Sequence, residues 1–228
     1  MKKQNQEASL EYYLPLFERL DPTEVTARTN IEFDTELSCF VLHNLGHKLH
    51  ATHPNFSLLP AESNNNVHAA HSAPNTPCPK TLYGFQMQIL TMRVLTAGVY
   101  APPTPTMKAY RELPWGDLYD PNFSGRCIKR FAYGFGYKSE AFEKAAPLLG
   151  GSKVGGSKPD LSSSASGDVA FDFPFLGGIT CRFILWKPDD EFPPSAQILF
   201  SDNAPLIYNA EDLAVVGDII ISTLKELK

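Results

Sequence analysis

The chain has 228 residues, 43% of them hydrophobic and 20% charged, with a formal net charge of −5 at pH 7. That length and apolar share suit one globular domain with a sizeable core and exclude a disordered chain. The acidic balance argues against a nucleic-acid partner, because the basic runs are short, such as Arg126-Cys127-Ile128-Lys129-Arg130, which has the spacing of a solvated helix turn.

The first residues, MKKQNQEASLEYYLP, carry two lysines and no apolar run after them, so no signal peptide is expected. Residues 7–20 place Leu10, Tyr13, Leu14, Phe17 and Leu20 at helical spacing, with Pro15 expected to kink or restart the helix. Asp21-Pro22-Thr23-Glu24 is a helix start, with an acid to cap, proline at the first position and a second acid in the first turn; the helix is expected to run to about Arg28. The stretch HNLGHKLHATH, residues 43–53, then admits two periods. As a helix from Asp34, Leu37, Val41, Leu45 and Leu49 form one stripe and His43, His47, His50 and His53 face water. As a hairpin, Leu37 to His43 pairs with His47 to His53 across a turn at Asn44-Leu45-Gly46. Gly46, Pro54 and the alternation around Leu49 favour the hairpin.

Residues 60–79, rich in Asn, Ser, Ala and Pro, read as a flexible surface loop. An apolar helix is expected over 81–98, closed by Gly98, and Pro102, Pro103 and Pro105 follow as a stiff connector. Next come a short strand, an aromatic loop around Tyr110–Tyr119, a helix over 123–137, and another helix capped by Ser139. Residues 150–167 form a second flexible loop, made of Gly and Ser. Strands at 168–175, 179–187 and 195–200 and an amphipathic helix at 211–227 close the chain. Helices early and strands late give an α+β domain spanning 1–228. Its sheet, mixed or antiparallel, is built largely from the C-terminal half plus the N-terminal hairpin and is packed by helices.

Four features bear on chemistry. Histidines at alternate strand positions, or four apart on a helix, can share a metal, so His43, His47, His50 and His53 are candidate ligands; the nearby co-ligands are Glu62 and Cys39, and no H-E-x-x-H occurs. Gly151 and Gly156 stand at a phosphate-loop interval, but Ser157 takes the lysine place, which leaves a linker. Cys39, Cys78, Cys127 and Cys181 are scattered and form no C-x-x-C pair, so reduced, inert thiols in a cytoplasmic protein are expected. The stretch from Tyr110 to Tyr119 gathers aromatics, an arginine and acids around a turn, a composition that suits ligand recognition.

The stretches LDPTEVTART, YRELPWGDLY, GDVAFDFPF and ITCRFILWKPDDEFPPSAQILFSDNAPLIYNAEDLA resemble the domain-of-unknown-function family 3786, an uncharacterised family of anaerobic bacteria and archaea. The resemblance runs from about Tyr12 to Leu227. It implies a cytosolic α+β domain, makes the histidine window a strand–turn–strand, and implies no established reaction. Some relatives stand beside, or are fused to, iron–sulfur modules of the kind found with corrinoid methyl-transfer proteins. This chain lacks the cysteine cluster, so an iron–sulfur or corrinoid centre would belong to a partner. The histidines are not part of the family pattern.

The expectation is an accessory or ligand-binding protein connected with metallocofactor metabolism. Its pocket would combine Arg111, Glu112, Trp115 and Asp117 with Asp168, Trp186 and Glu191: aromatic walls, Arg111 on an anionic group, carboxylates to orient it. An enzyme using Glu112, Asp117 or Glu191 in acid–base chemistry is the alternative, and a histidine-based metal protein is the third reading. No membrane partner is expected, since the apolar stretches fall short of a span.

Overall fold

In a computed structural model, which describes residues 2–61, 77–155 and 167–228, the chain opens with helix α1 (Lys2–Glu18). Pro15 lies inside its last turns and does not end it. The reason lies in packing: Phe17, one turn-fraction beyond, is fully buried with its ring edge-on to Phe40 and Phe56, and that burial outweighs one lost helical hydrogen bond. Helix α2 (Pro22–Thr29) is built as its sequence predicts. The Asp21 carboxylate accepts from the Thr23 amide at 2.8 Å, and Asn30 closes the helix at φ 59°.

The histidine window is a hairpin. Strands β1 (Glu32–Asp34), β2 (Cys39–Asn44), β3 (His47–Thr52) and β4 (Leu58–Pro60) form an antiparallel sheet in that order. The β2–β3 turn holds only Leu45 and Gly46, at φ 47° and 73°, the double positive φ that matches strand twist. Strand β2 starts at Cys39 rather than Leu37, because the Asp34 side chain accepts from the Glu36 and Leu37 amides and folds that segment into a turn.

The second sheet is also antiparallel. It contains β5 (Met107–Ala109), β6 (Ser152–Lys153), β7 (Val169–Phe175), β8 (Ile179–Trp186) and β9 (Ser195–Ser201), in the order β5-β9-β8-β7-β6. The α+β class is therefore as expected, but the hairpin belongs to its own sheet and does not extend the C-terminal one. One face of the second sheet carries Phe171, Phe173, Phe183 and Phe200 into the main core, where the Phe142 and Phe131 rings meet Phe171 and Phe183 edge-on. The other face holds a smaller cluster of Ala170, Ile184 and Leu199, with Trp186 against it and the bidentate Arg182–Asp172 pair beside it.

Between Tyr110 and Lys138 the chain is helical almost throughout, which corrects the expected aromatic loop. A 3-10 turn (Tyr110–Glu112) leads to a helical run after α3 (Phe85–Ala97): α4 (Gly116–Phe123), a π-helical segment (124–129) and α5 (Arg130–Phe135). The widened π turn lets Cys127 reach the Ala214 carbonyl while Arg126 and Arg130 both reach Asp218. Helix α6 (Ser139–Leu148) is entered from the 3-10 turn Gly136–Lys138. Ser139 is thus its buried first residue and not its cap. The loop expected at 60–79 falls mostly on residues 62–76, outside the described residues, and the loop at 150–167 yields β6 before residues 156–166, which also lie outside them.

Helix α7 (Ala210–Glu226) is the hub of the core. Leu213, Val216, Ile219, Ile220, Ile221 and Leu224 are all buried, too wide an arc for a helix on the surface. The two sheets meet through Asn44, whose side-chain oxygen accepts from the Leu176 amide at 3.0 Å while its amide nitrogen meets Met87 Sδ at 3.3 Å. Beside it Gly46 abuts Gly150 so closely that a Cβ would stand 2.9 Å from the Gly150 nitrogen. Replacing Asn44 by Ala leaves the buried Leu176 amide without an acceptor. The expected loss is about 1–3 kcal/mol in urea unfolding with an unchanged m-value; a midpoint equal to wild type would show that the bridge is dispensable.

Candidate functional site

Helix α7 begins with a reciprocal cap. Asn209 Oδ1 accepts from the Asp212 amide at 2.9 Å, and Asp212 Oδ2 accepts from the Asn209 amide at 3.0 Å. Arg93, on α3, reaches across to pair its Nη1 with the same Oδ2, while its Nε donates to the Tyr13 hydroxyl at 2.8 Å. The side chains are 9% exposed for Asp212 and 24% for Arg93. Burial pushes the Asp212 carboxyl up from its ordinary value; Arg93 and the Asn209 amide act against that shift.

This pair lies against a cavity of about 330 Å³, whose walls include Leu113, Pro114, Trp115, Pro205, Ile207 and Tyr208. Trp115 sits at φ 65° and is 72% exposed. Its backbone is fixed on both sides. The following residue must be glycine, since a Cβ on Gly116 would fall 1.8 Å from the Tyr110 carbonyl oxygen. Tyr110 in turn stacks on Phe123, with ring centres 4.0 Å apart, and its hydroxyl donates to the Ala210 carbonyl at 2.7 Å. The segment bearing Trp115 is thereby tied to the first turn of α7. A second cleft, of about 400 Å³, lies against the same turn of α7 and is lined by Tyr119, Arg126 and Glu211 among others.

Of the seven residues expected to form a pocket, Trp115 lines the first cleft. Arg111, Asp117 and Glu191 are exposed. Glu112 accepts from the Ala109 amide at 2.6 Å and so closes the local 3-10 turn. Asp168 accepts from the Lys187 amide at 2.7 Å at the β7–β8 end, and Trp186 covers the small cluster on the sheet's other face. Within the stretch from Tyr110 to Tyr119, Leu113, Pro114 and Trp115 line one cleft and Tyr110 and Tyr119 the other. Arg93 and Asp212 were missed because Arg93 sits in a helix that reads as apolar and Asp212 in one that reads as amphipathic, where an acid is expected to face water. The available signals were a lone arginine within LYGFQMQILTMRVLTAG and the cap pattern of Asn209 and Asp212.

The hairpin divides its histidines between its two faces. Register pairs Asn44 with His47 and Val41 with His50, so His47 faces the core with Leu49 and Ala51 while His43 and His50 lie on the opposite face. His53 lies beyond the strand among Phe17, Phe33 and Phe40. Among the described residues no three His, Cys, Asp or Glu side chains gather to hold a metal ion. His68, His71 and Glu62 lie outside the described residues. The thiols are likewise separate: burial pushes Cys78 up to about 11 and Cys127 up to about 12, and it raises Cys39 and Cys181 as well. Protonated thiols of this kind are neither nucleophiles nor metal ligands as they stand.

The family model described as "Domain of unknown function (DUF3786)" matches residues 21–223, and the chain belongs to that family. Neither the curated proteins nor the solved structures hold a match to the chain.

His47 is 8% exposed and its Nε2 has no hydrogen-bond partner among the described residues. Burial lowers its pKa and that of His50 from 6.5. The unfolded chain takes up these protons near the ordinary value, whereas the folded chain resists them. The stability they confer is full above that value and is lost as pH falls toward the lower folded values. Melting temperature should therefore drop between about pH 7 and pH 5, and His47→Gln should make that drop shallower. Superimposable pH profiles for the two proteins would remove His47 as a cause.

Proposed function

We propose that this member of the family is a binding protein for a small organic ligand, held in the cleft between Trp115 and the first turn of α7. The observation that carries this reading is Trp115 itself. A left-handed backbone costs a bulky residue roughly 1–2 kcal/mol, and an indole 72% exposed recovers little of that by burial within the chain. The fold spends this strain on presenting a flat apolar surface beside a half-buried Arg93–Asp212 pair. An apolar wall with a few convergent polar groups is how small-molecule sites are made.

An accessory role beside an iron–sulfur or corrinoid protein belongs to the same reading. The separated, protonated thiols leave any such centre to the partner. A second reading, acid–base chemistry, draws support from the burial that raises Asp212 within the same cleft. It predicts that Asp212→Asn abolishes turnover of the ligand while leaving it bound.

Trp186→Phe leaves Trp115 as the single indole, since the sequence holds 2 tryptophans. Small-molecule fractions of a cell extract, added to that protein, should include one that saturably quenches the emission and raises the melting temperature. Trp115→Ala, in the otherwise natural protein, should lose that thermal shift. If no fraction moves either signal, the cleft is not a binding site.

A further inference from the structure

The polar groups at the Trp115 cleft restrict what it can hold. Arg93 and Asp212 neutralise each other, so the floor carries no net charge to attract an ion. A carboxylate or phosphate on the remaining N–H groups of Arg93 would share one positive charge with Asp212 and stand close to that buried carboxylate, which is next in sequence to Glu211. A cation would face Arg93 and the positive end of a 17-residue helix. A neutral ligand avoids both penalties.

The pair also retains unused hydrogen-bonding capacity. Asp212 Oδ2 accepts from Arg93 and from the Asn209 amide, whereas Oδ1 has no partner among the described residues. Arg93 uses Nε and one Nη1 hydrogen, and its remaining N–H groups have no partner among the described residues. A residue with an unused acceptor and a residue with unused donors, already paired with each other, thus both line a cavity of about 330 Å³ with an indole in its wall.

From this we infer that the ligand class is a neutral planar heterocycle bearing a lactam, an adjacent N–H and C=O as in a nucleobase. Its N–H donates to Asp212, its C=O accepts from Arg93, and its ring lies against Trp115. The inference rests on the cleft being a binding site, as proposed above.

The test uses three probes on the full-length Trp186→Phe protein, followed by Trp115 fluorescence and melting temperature. Hypoxanthine carries the lactam, 1-methylhypoxanthine has lost its N–H, and benzoate is planar but anionic. Hypoxanthine should quench saturably, the methylated analogue should bind at least about tenfold more weakly, and benzoate should not bind. A tenfold ratio corresponds to about 1.4 kcal/mol, the scale of one hydrogen bond to a charged group. Asp212→Asn should weaken hypoxanthine by a similar factor, and the methylated analogue applies the same test to a protein whose Asp212 is untouched. Equal binding of the two purines, or benzoate binding as well as hypoxanthine, would overturn the lactam assignment while keeping the cleft as a site. Silence from all three probes would also overturn it, and the extract screen then decides separately whether the cleft binds anything.

Discussion

The Asp212 carboxylate is the constraint on which this structure turns. Helix α7 drives into the core on most of its circumference, and in its first turn Ala210 and Asp212 are buried while Asn209 and Glu211 reach the surface. Helix N-terminal amides cannot be left bare in such a place. Asp212 and Asn209 satisfy the turn reciprocally, but that puts a carboxylate in a dry site, where it is stable only with a counter-charge. Arg93 supplies it from α3, and Tyr13 on α1 holds the guanidinium from the other side. Three helices are thus joined through one guanidinium, by an ion pair to α7 and by a hydrogen bond and a cation–π contact to α1.

The clefts follow from the same anchoring. Tyr110 donates to the α7 backbone and stacks on Phe123, which clamps the segment between β5 and α4 onto the helix start. Gly116 permits the tight passage that follows, and Trp115 is turned outward by it. The π-helical segment beyond α4 places Arg126 beside Asp218 on the same helix, at the second cleft. Function, on this reading, is concentrated where the last helix enters the core, with the sheets serving as its support.

The histidine hairpin illustrates a different principle. Its composition invites a metal, but a strand sends neighbouring side chains to opposite faces, and the register is set by Leu42, Leu49 and Ala51 seeking the core. His47 is drawn inward by that pattern and His50 is left on the other face. The same apolar demand that folds the hairpin sends His47 to one face and His43 and His50 to the other.

Local chemistry could be read from the sequence wherever one short segment decides its own geometry. The Asp21-Pro22 helix start, the Leu45-Gly46 turn within the histidine window, Gly98 as a helix end and the three late strands are all of this kind, because capping, φ preference and strand periodicity act within a few residues. The α+β class followed from their order. Tertiary structure alone decided that the hairpin forms a separate sheet, that Pro15 stays inside a helix, and that Arg93 meets Asp212 across 119 residues of chain. The physical reason is the range of the interaction. An ion pair or a ring stack between distant segments leaves no period in either one, so the aromatic wall at Trp115 was visible in the sequence while the charges that complete its cleft were not.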